Sequence, residues 1–278
     1  MQDKETRTMQ HEATMKNLPY KGKLTLVTGA GREGRVGAKI AHYFALHGSD
    51  ILLHYRSDEA EARSVKDKIE RDTGAAVRLV SGELSNVEDV RTLFTDVVPD
   101  MVINNAAVFK PAAEGSDPLG AAHAALEHNV VANLHAPLLV SAEAVRRLLK
   151  QRKRGVIVFV GDAFIERGGV YPAALTAYMA SKAWIPSVVS QLAAAHGREG
   201  LRFLAVLNGP VEPPPSASAR AIESIAQEIN LPADALGPWI GGEGVAEAVH
   251  SLIQAGTVNG ATVAVDGGRA WRAPSEHS

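Results

Sequence analysis

The chain of 278 residues contains no cysteine. That absence excludes disulfides, thiolate metal centres and cysteine nucleophiles, and it fits a reducing, cytoplasmic compartment. No apolar run exceeds the length of a strand, so no membrane span is expected. Charge of one sign is lacking too: 29 Lys and Arg against 31 Asp and Glu leave a net charge of −2, which gives no surface for nucleic acid. Any basic site must be local. Residues 1–20 are polar and lack an apolar signal region, so they are expected to form a mobile tail, and residues 272–278 are expected to form a C-terminal tail.

What remains is a chain that is 46% hydrophobic, enough to bury one large core. Seven short aliphatic or β-branched runs read as strands: Leu24–Thr28, Asp50–Tyr55, Val77–Val80, Met101–Asn104, Val156–Val160, Arg202–Leu207 and Thr262–Val265. Six stretches between them have helical periodicity: Val36–His47, Glu59–Asp72, Val87–Val97, Ala121–Lys150, Thr176–Gly197 and Gly244–Gln254. This alternation predicts one α/β domain over residues 21–271, a doubly wound Rossmann-type fold with a seven-stranded parallel sheet and helices on both faces. One proline-rich insertion at 211–242 breaks the pattern with a helix-like Ala217–Ile229, and long insertions of this kind serve as lids or binding loops.

The first strand runs into Thr28-Gly29-Ala-Gly31-Arg-Glu-Gly34-Arg35-Val36-Gly37 and then a helix. Glycines at such a turn let the backbone approach a pyrophosphate seated on the helix N-terminus. An ordinary glycine-rich turn is the alternative. The second strand ends in His54-Tyr55-Arg56-Ser57, where a dinucleotide fold meets the adenosine ribose. An acid there would bind the ribose 2′-hydroxyl, whereas Arg56 with Ser57 offers a clamp for a 2′-phosphate and favours NADPH over NADH. Arg32 and Arg35 add positive potential or face solvent.

Tyr178-Met-Ala-Ser-Lys182 puts a phenol and an ammonium on one helix face. The cation favours the phenolate and draws the Tyr pKa down from its usual ~10, the tuning that acid/base catalysis needs. The strand Val156–Gly161 runs straight into Asp162. If Asp162 lay beside Tyr178, burial would favour the protonated acid while Lys182 would favour the carboxylate, and the sequence leaves both states open, as it leaves open a simple capping role. His123, His128 and His135 fall near one helix, but no carboxylate pattern accompanies them and no metal is expected.

Together these segments resemble the short-chain dehydrogenase/reductase family from about Lys21 to Trp271. Thr28-Gly29 with Gly37 resembles its nucleotide turn, Asn104-Asn105-Ala106-Ala107 its fourth-strand motif, Asn133 its central-helix Asn, and Val265-Asp266-Gly267-Gly268 its last-strand ending. The resemblance implies that Tyr178 moves the proton, that Lys182 binds the nicotinamide ribose and tunes Tyr178, and that Asn133 holds a relay water. It also implies cofactor contacts from Gly29, Gly31, Arg35, Val36, Gly37, Arg56, Ser57, Glu83, Leu84, Asn105, Ala106, Gly209 and Val211, and a homotetramer built through the long helices.

Departures narrow the expectation. Glu83-Leu84 stands for the usual Asp-Leu or Asp-Val, Leu204 and Asn208 replace an Asn and a Pro, and Asp162 replaces the catalytic Ser. These features resemble the pteridine reductase and dihydromonapterin reductase branch, with Phe109 as the aromatic that stacks a pterin ring and Glu166-Arg167-Gly168 as a further likeness. A carboxyl suits the donor/acceptor edge of such a ring better than a hydroxyl. The expectation is an NADPH-dependent reductase of a C=N bond in a small, flat substrate touched by Phe109, Asp162, Tyr178 and Trp239. The competing readings are a reductase of ketones or 3-oxoacyl groups and a non-catalytic NADPH-binding sensor or scaffold. The exact substrate is not legible.

Overall fold

Two apolar layers sandwich one sheet. The computed structural model describes residues 18–166, 173–209, 211 and 241–267. Arg167, Gly168, Trp239, nearly all of the 211–242 insertion with its helix-like 217–229, and the tail 272–278 lie outside the described residues. The strands are β1 (Leu24–Val27), β2 (Asp50–Tyr55), β3 (Val77–Ser81), β4 (Met101–Asn104), β5 (Gly155–Asp162), β6 (Leu201–Asn208) and β7 (Ala261–Val265). All pair in parallel in the order β3-β2-β1-β4-β5-β6-β7. The order reverses direction between β1 and β4, and in open α/β sheets the crevice at that switch is the ligand site.

Alternation along each strand feeds both layers. Val158 and Val160 of β5 face one core and Ile157 and Phe159 the other. The first core is covered by α1 (Val36–Leu46), α2 (Glu59–Thr73) and α9 (Gly242–Gln254), which contribute Ile40, Phe44, Val65, Ile69, Val249 and Ile253. The second is covered by α3 (Val87–Leu93), α5 (Ala136–Lys150) and α8 (Ile185–His196), with Val90, Leu93, Val140, Leu148, Ile185 and Val189. Each such fully buried aliphatic or aromatic side chain stabilises the fold by about 1.5–3 kcal/mol relative to exposure.

Helix starts follow local chemistry. Asp58 caps α2 by accepting the Glu61 N–H, Asn86 caps α3 through the Glu88 and Asp89 N–H groups, and Asp117 caps α4 (Pro118–Val130) through Gly120. Three boundaries depart from the sequence expectation. The helix expected over Val87–Val97 ends at Leu93, because Phe94 turns out of helical geometry and buries its ring in the second core. The stretch expected as one helix over Ala121–Lys150 is α4, a π-helical turn at Val131–His135, and α5. Pro137 has no N–H for the carbonyl of Asn133 four residues back, and the wider turn absorbs that missing bond. The stretch Thr176–Gly197 divides into α7 (Thr176–Lys182) and α8, with Pro186 in the first turn of the second piece. The four residues Ala163–Glu166 that follow β5 form the short α6.

The expected tail 1–20 also ends earlier than its polarity suggests. Tyr20 is buried, stacks on Phe44 with ring centroids 4.8 Å apart, and shares a hydrogen bond of 2.9 Å with His250. Among the described residues no helix is long and apolar enough to cross a membrane.

Candidate functional site

The carboxyl ends of β1, β2, β3 and β4 converge on the glycine-rich turn, stitched by side chains from three strands. The Thr28 hydroxyl accepts the N–H groups of Asn105 and Ala106, both at 3.0 Å, and the Asn105 side chain donates to the carbonyls of Thr28 and Gly29. His54, which the sequence reading passed over as one position of a strand, locks the other side. Its Nδ1 accepts the Gly29 N–H at 3.1 Å while its Nε2 donates to the Gly82 carbonyl at 3.0 Å. The accepting Nδ1 requires the neutral ring, and burial pushes the His54 pKa down accordingly.

This packing leaves room for backbone only. A Cβ on Gly29, whose φ is +64°, would stand 2.8 Å from Ala106 Cα, and one on Gly37 would stand 2.5 Å from Asn105 Nδ2. The turn delivers the N-terminus of α1, where Arg35 makes no capping bond and no acid occupies the first turn. Such an end accepts a diphosphate through its amides. Gly31, Val36 and Ala106 line the same turn region, and Arg35 is exposed at its mouth. Arg56 and Ser57 are exposed at the end of β2, with Arg56 Nη1 4.0 Å from a Glu83 carboxylate oxygen. Glu83 also receives the Ser85 hydroxyl at 3.1 Å, and Leu84 beside it is buried. At the other flank Gly209 is tied to the carbonyl of Val265, and Val211 is half-buried.

Asp162 is the last residue of β5, and α7 carries Tyr178 over it. The Tyr178 hydroxyl donates to Asp162 Oδ2 at 2.7 Å, joining two residues 16 positions apart. Phe109 meets the Tyr178 ring edge-on, with centroids 4.7 Å apart and planes at 66°, while 44% of Phe109 remains exposed. Lys182 is buried and donates to the Val160 carbonyl at 3.1 Å. Burial pushes its pKa down from 10.5 to about 8, against the Asp162 carboxylate, which raises it.

Asn133 is fully engaged. Its Oδ1 accepts the Val108 N–H at 2.8 Å, and its Nδ2 donates to the Val108 carbonyl at 2.8 Å and the Ser181 hydroxyl at 2.9 Å. The carbonyl that Pro137 leaves unserved accepts the Trp184 indole at 3.2 Å. The structure thus gathers Tyr178, Asp162, Phe109, Lys182 and Asn133 at one place, whereas Trp239 lies outside the described residues. Among the described residues no cluster of His, Asp or Glu fit to hold a metal ion occurs. Neither Asn129 nor Ser181, both fully buried at this site, was visible as functional from sequence.

A family model described as enoyl-(acyl carrier protein) reductase matches residues 29–270. A 3beta-hydroxysteroid dehydrogenase of Eggerthella lenta is 30% identical over 258 residues, covering 89% of this chain and 94% of that protein. A short-chain dehydrogenase/reductase of Colletotrichum higginsianum is 30% identical over 197 residues, 68% of this chain and 69% of its own. The crystal structure of a dehydrogenase/reductase from Sinorhizobium meliloti superposes with a TM-score of 0.75 at 24% identity, over 93% of this chain and 99% of that one, which is a likeness of fold.

Proposed function

The chain belongs to the short-chain dehydrogenase/reductase family, and from that premise we propose that it uses NADPH to reduce a C=N bond in a flat, pterin-like substrate. It is an oxidoreductase, and its family works with a nicotinamide dinucleotide. The turn fits that cofactor, because close packing at Gly29 and Gly37 admits no side chain and so brings bare backbone to the N-terminus of α1. In this reading Gly29, Gly31, Arg35, Val36 and Gly37 hold the diphosphate, Glu83, Leu84, Asn105 and Ala106 flank the adenosine, and Lys182, Gly209 and Val211 face the nicotinamide end. When bound, the nicotinamide supplies the hydride.

The observation that carries the substrate reading is the 2.7 Å bond from Tyr178 to a carboxylate rather than to a hydroxyl. Reducing C=N puts a proton on nitrogen, and Tyr178 is the donor within reach. The Lys182 ammonium then balances the phenolate. Asp162 fixes the phenol oxygen by accepting its one proton, a bond that breaks when Tyr178 gives that proton to nitrogen, and offers carboxylate oxygens to the amino edge of a ring, while Phe109 supplies an aromatic surface beside Tyr178.

A ketone-reducing reading has its own support in the hydroxysteroid dehydrogenase relative. Asp162→Ser separates the two. NADPH oxidation with 7,8-dihydrobiopterin is expected to fall about 10²-fold in that variant, the scale of losing one positioned acid/base group. Gained ketone reduction with undiminished dihydropterin reduction would sink the C=N assignment.

Cofactor choice is tested at Arg56. Removing the clamp in Arg56→Ala is expected to raise KM for NADPH about 10- to 150-fold, because a charge-assisted bond to phosphate contributes about 1.5–3 kcal/mol, and to leave KM for NADH unchanged. An equal rise for both cofactors in initial-rate measurements would remove Arg56 from the 2′-phosphate site. For the assembly, a symmetric homotetramer is the reading, supported by the family habit and by exposed Leu119, Leu126 and Val131 on one helical run.

A further inference from the structure

The loop after β4 carries Phe109 to the site, and its backbone is held by side chains rather than by a neighbouring strand. Asn133 takes both the N–H and the C=O of Val108. One turn earlier on the same helical run, Asn129 does the same for Lys110: its Oδ1 accepts the N–H at 3.3 Å and its Nδ2 donates to the carbonyl at 2.8 Å. Residues two apart in an extended chain present N–H and C=O to the same edge, about 6.6 Å apart. Side chains four apart on a helix share a face about 6 Å apart. The two amides therefore substitute for an adjoining strand, and Phe109 is the residue between the two clamped positions. Farther along, the Ala112 N–H donates to the carbonyl of Ala174, just ahead of α7, at 2.7 Å.

Asn129 is fully buried and spends its remaining donor on the Ala125 carbonyl at 2.8 Å. A buried amide is costly unless satisfied, and satisfying this one fixes the Lys110 backbone. Phe109, by contrast, is half-exposed and packs edge-on against the Tyr178 ring. With the chain pinned on both sides, the phenyl keeps only its side-chain rotations. We propose that Asn129 is a positioning residue that, with Asn133, sets Phe109 as a fixed wall beside Tyr178 and so selects substrates with a flat ring.

This inference rests on the flat-ring reading above, and the test keeps the two apart. Steady-state kinetics would be measured with NADPH and two flat probes, 7,8-dihydrobiopterin and acetophenone, in wild type, Asn129→Leu, Phe109→Leu and the double variant. Asn129→Leu is expected to raise KM for the flat probe about tenfold while kcat stays within about twofold, the signature of lost binding rather than lost chemistry. In the Phe109→Leu background the same change should add little, since contacts acting through one residue are not additive. Amide hydrogen exchange should show Lys110 losing protection by about tenfold or more while Val108 keeps its own. Parallel losses in kcat, KM and NADPH affinity, additive effects in the double variant, or unchanged Lys110 exchange would each overturn the proposal. If dihydrobiopterin is inert and acetophenone is reduced, the C=N reading fails and the wall is judged on acetophenone. If wild type turns over neither probe, the substrate reading fails and Asn129 loses its selective role, whatever the exchange result.

Discussion

Replacing Tyr178 with Phe is expected to lower turnover by about 10²–10⁴, the range contributed by a positioned proton donor. The change removes one oxygen and nothing else. The ring is 8% exposed, packs with Leu175 and Ile165, and meets Phe109 edge-on, and Phe keeps all of those contacts. The change removes the hydrogen bond to Asp162 Oδ2 at 2.7 Å. A hydrogen bond to a charged group contributes about 1.5–3 kcal/mol, so losing that bond predicts a fall in melting temperature of about 3–12 °C. NADPH affinity should stay near that of wild type. Rates of NADPH oxidation beside a cofactor titration check both halves. Turnover within about tenfold of wild type would remove Tyr178 from the proton-donor role, because the phenol is the only group lost.

That expectation was partly legible before any coordinates. The sheet was readable because all seven strands are short aliphatic runs, the five inner ones buried on both faces and the edge strands β3 and β7 half-buried, and this pattern has few rivals in a chain with helical stretches between them. Strand ends were less legible. β5 runs two residues past Val160 because Gly161 and Asp162 pair with Leu207 and Asn208, and a polar residue closing a ladder looks like a loop. The helix breaks had their signals in Pro137 and Pro186, yet periodicity across each break is preserved and conceals it. Tyr20 was misplaced because its partners, Phe44 and His250, are remote in sequence.

The site divides along the same line. Tyr178 and Lys182 share a helix, so spacing alone reveals them. Asp162 and Tyr178 stand 16 residues apart, and only the family resemblance suggested their meeting. Asn129 carried no pattern at all, and His54 stood in the His54-Tyr55-Arg56-Ser57 strand end with nothing to mark its own partners. A His in an apolar strand and an Asn in a helix are individually ordinary, and their roles exist only through the backbone groups of Gly29, Gly82 and Lys110 that the fold brings to them.

Lys182 makes activity and stability respond to pH in opposite directions. Its ammonium is buried against the Val160 carbonyl, and burial lowers its pKa from 10.5 to about 8 in the folded chain. Below pH 8 both folded and unfolded chains hold the proton, and the folded state carries the whole cost of the buried charge. Between pH 8 and 10.5 the unfolded chain holds more protons than the folded one, so this residue's contribution to stability rises with pH, by an amount on the order of 3 kcal/mol across the window. Catalysis follows the opposite course. The cation that balances a Tyr178 phenolate discharges as pH passes about 8, so kcat/KM, which reports groups of the free enzyme, should fall on the alkaline side of that value. Lys182→Met keeps the length of the side chain without its charge. The variant should lose about 10²–10³ in kcat/KM, the scale of removing one preorganised electrostatic contact, and its denaturation midpoint should lose the rise between pH 8 and 10.5. The Val160 carbonyl gives up a donor in the exchange, which offsets part of the relief from burying no charge. Urea melts at pH 7 and pH 9.5 beside a pH–rate profile test both parts. A variant whose stability still climbs across that window as wild type does would show that another group titrates there, and a variant with undiminished kcat/KM would separate the buried cation from the chemistry of Tyr178.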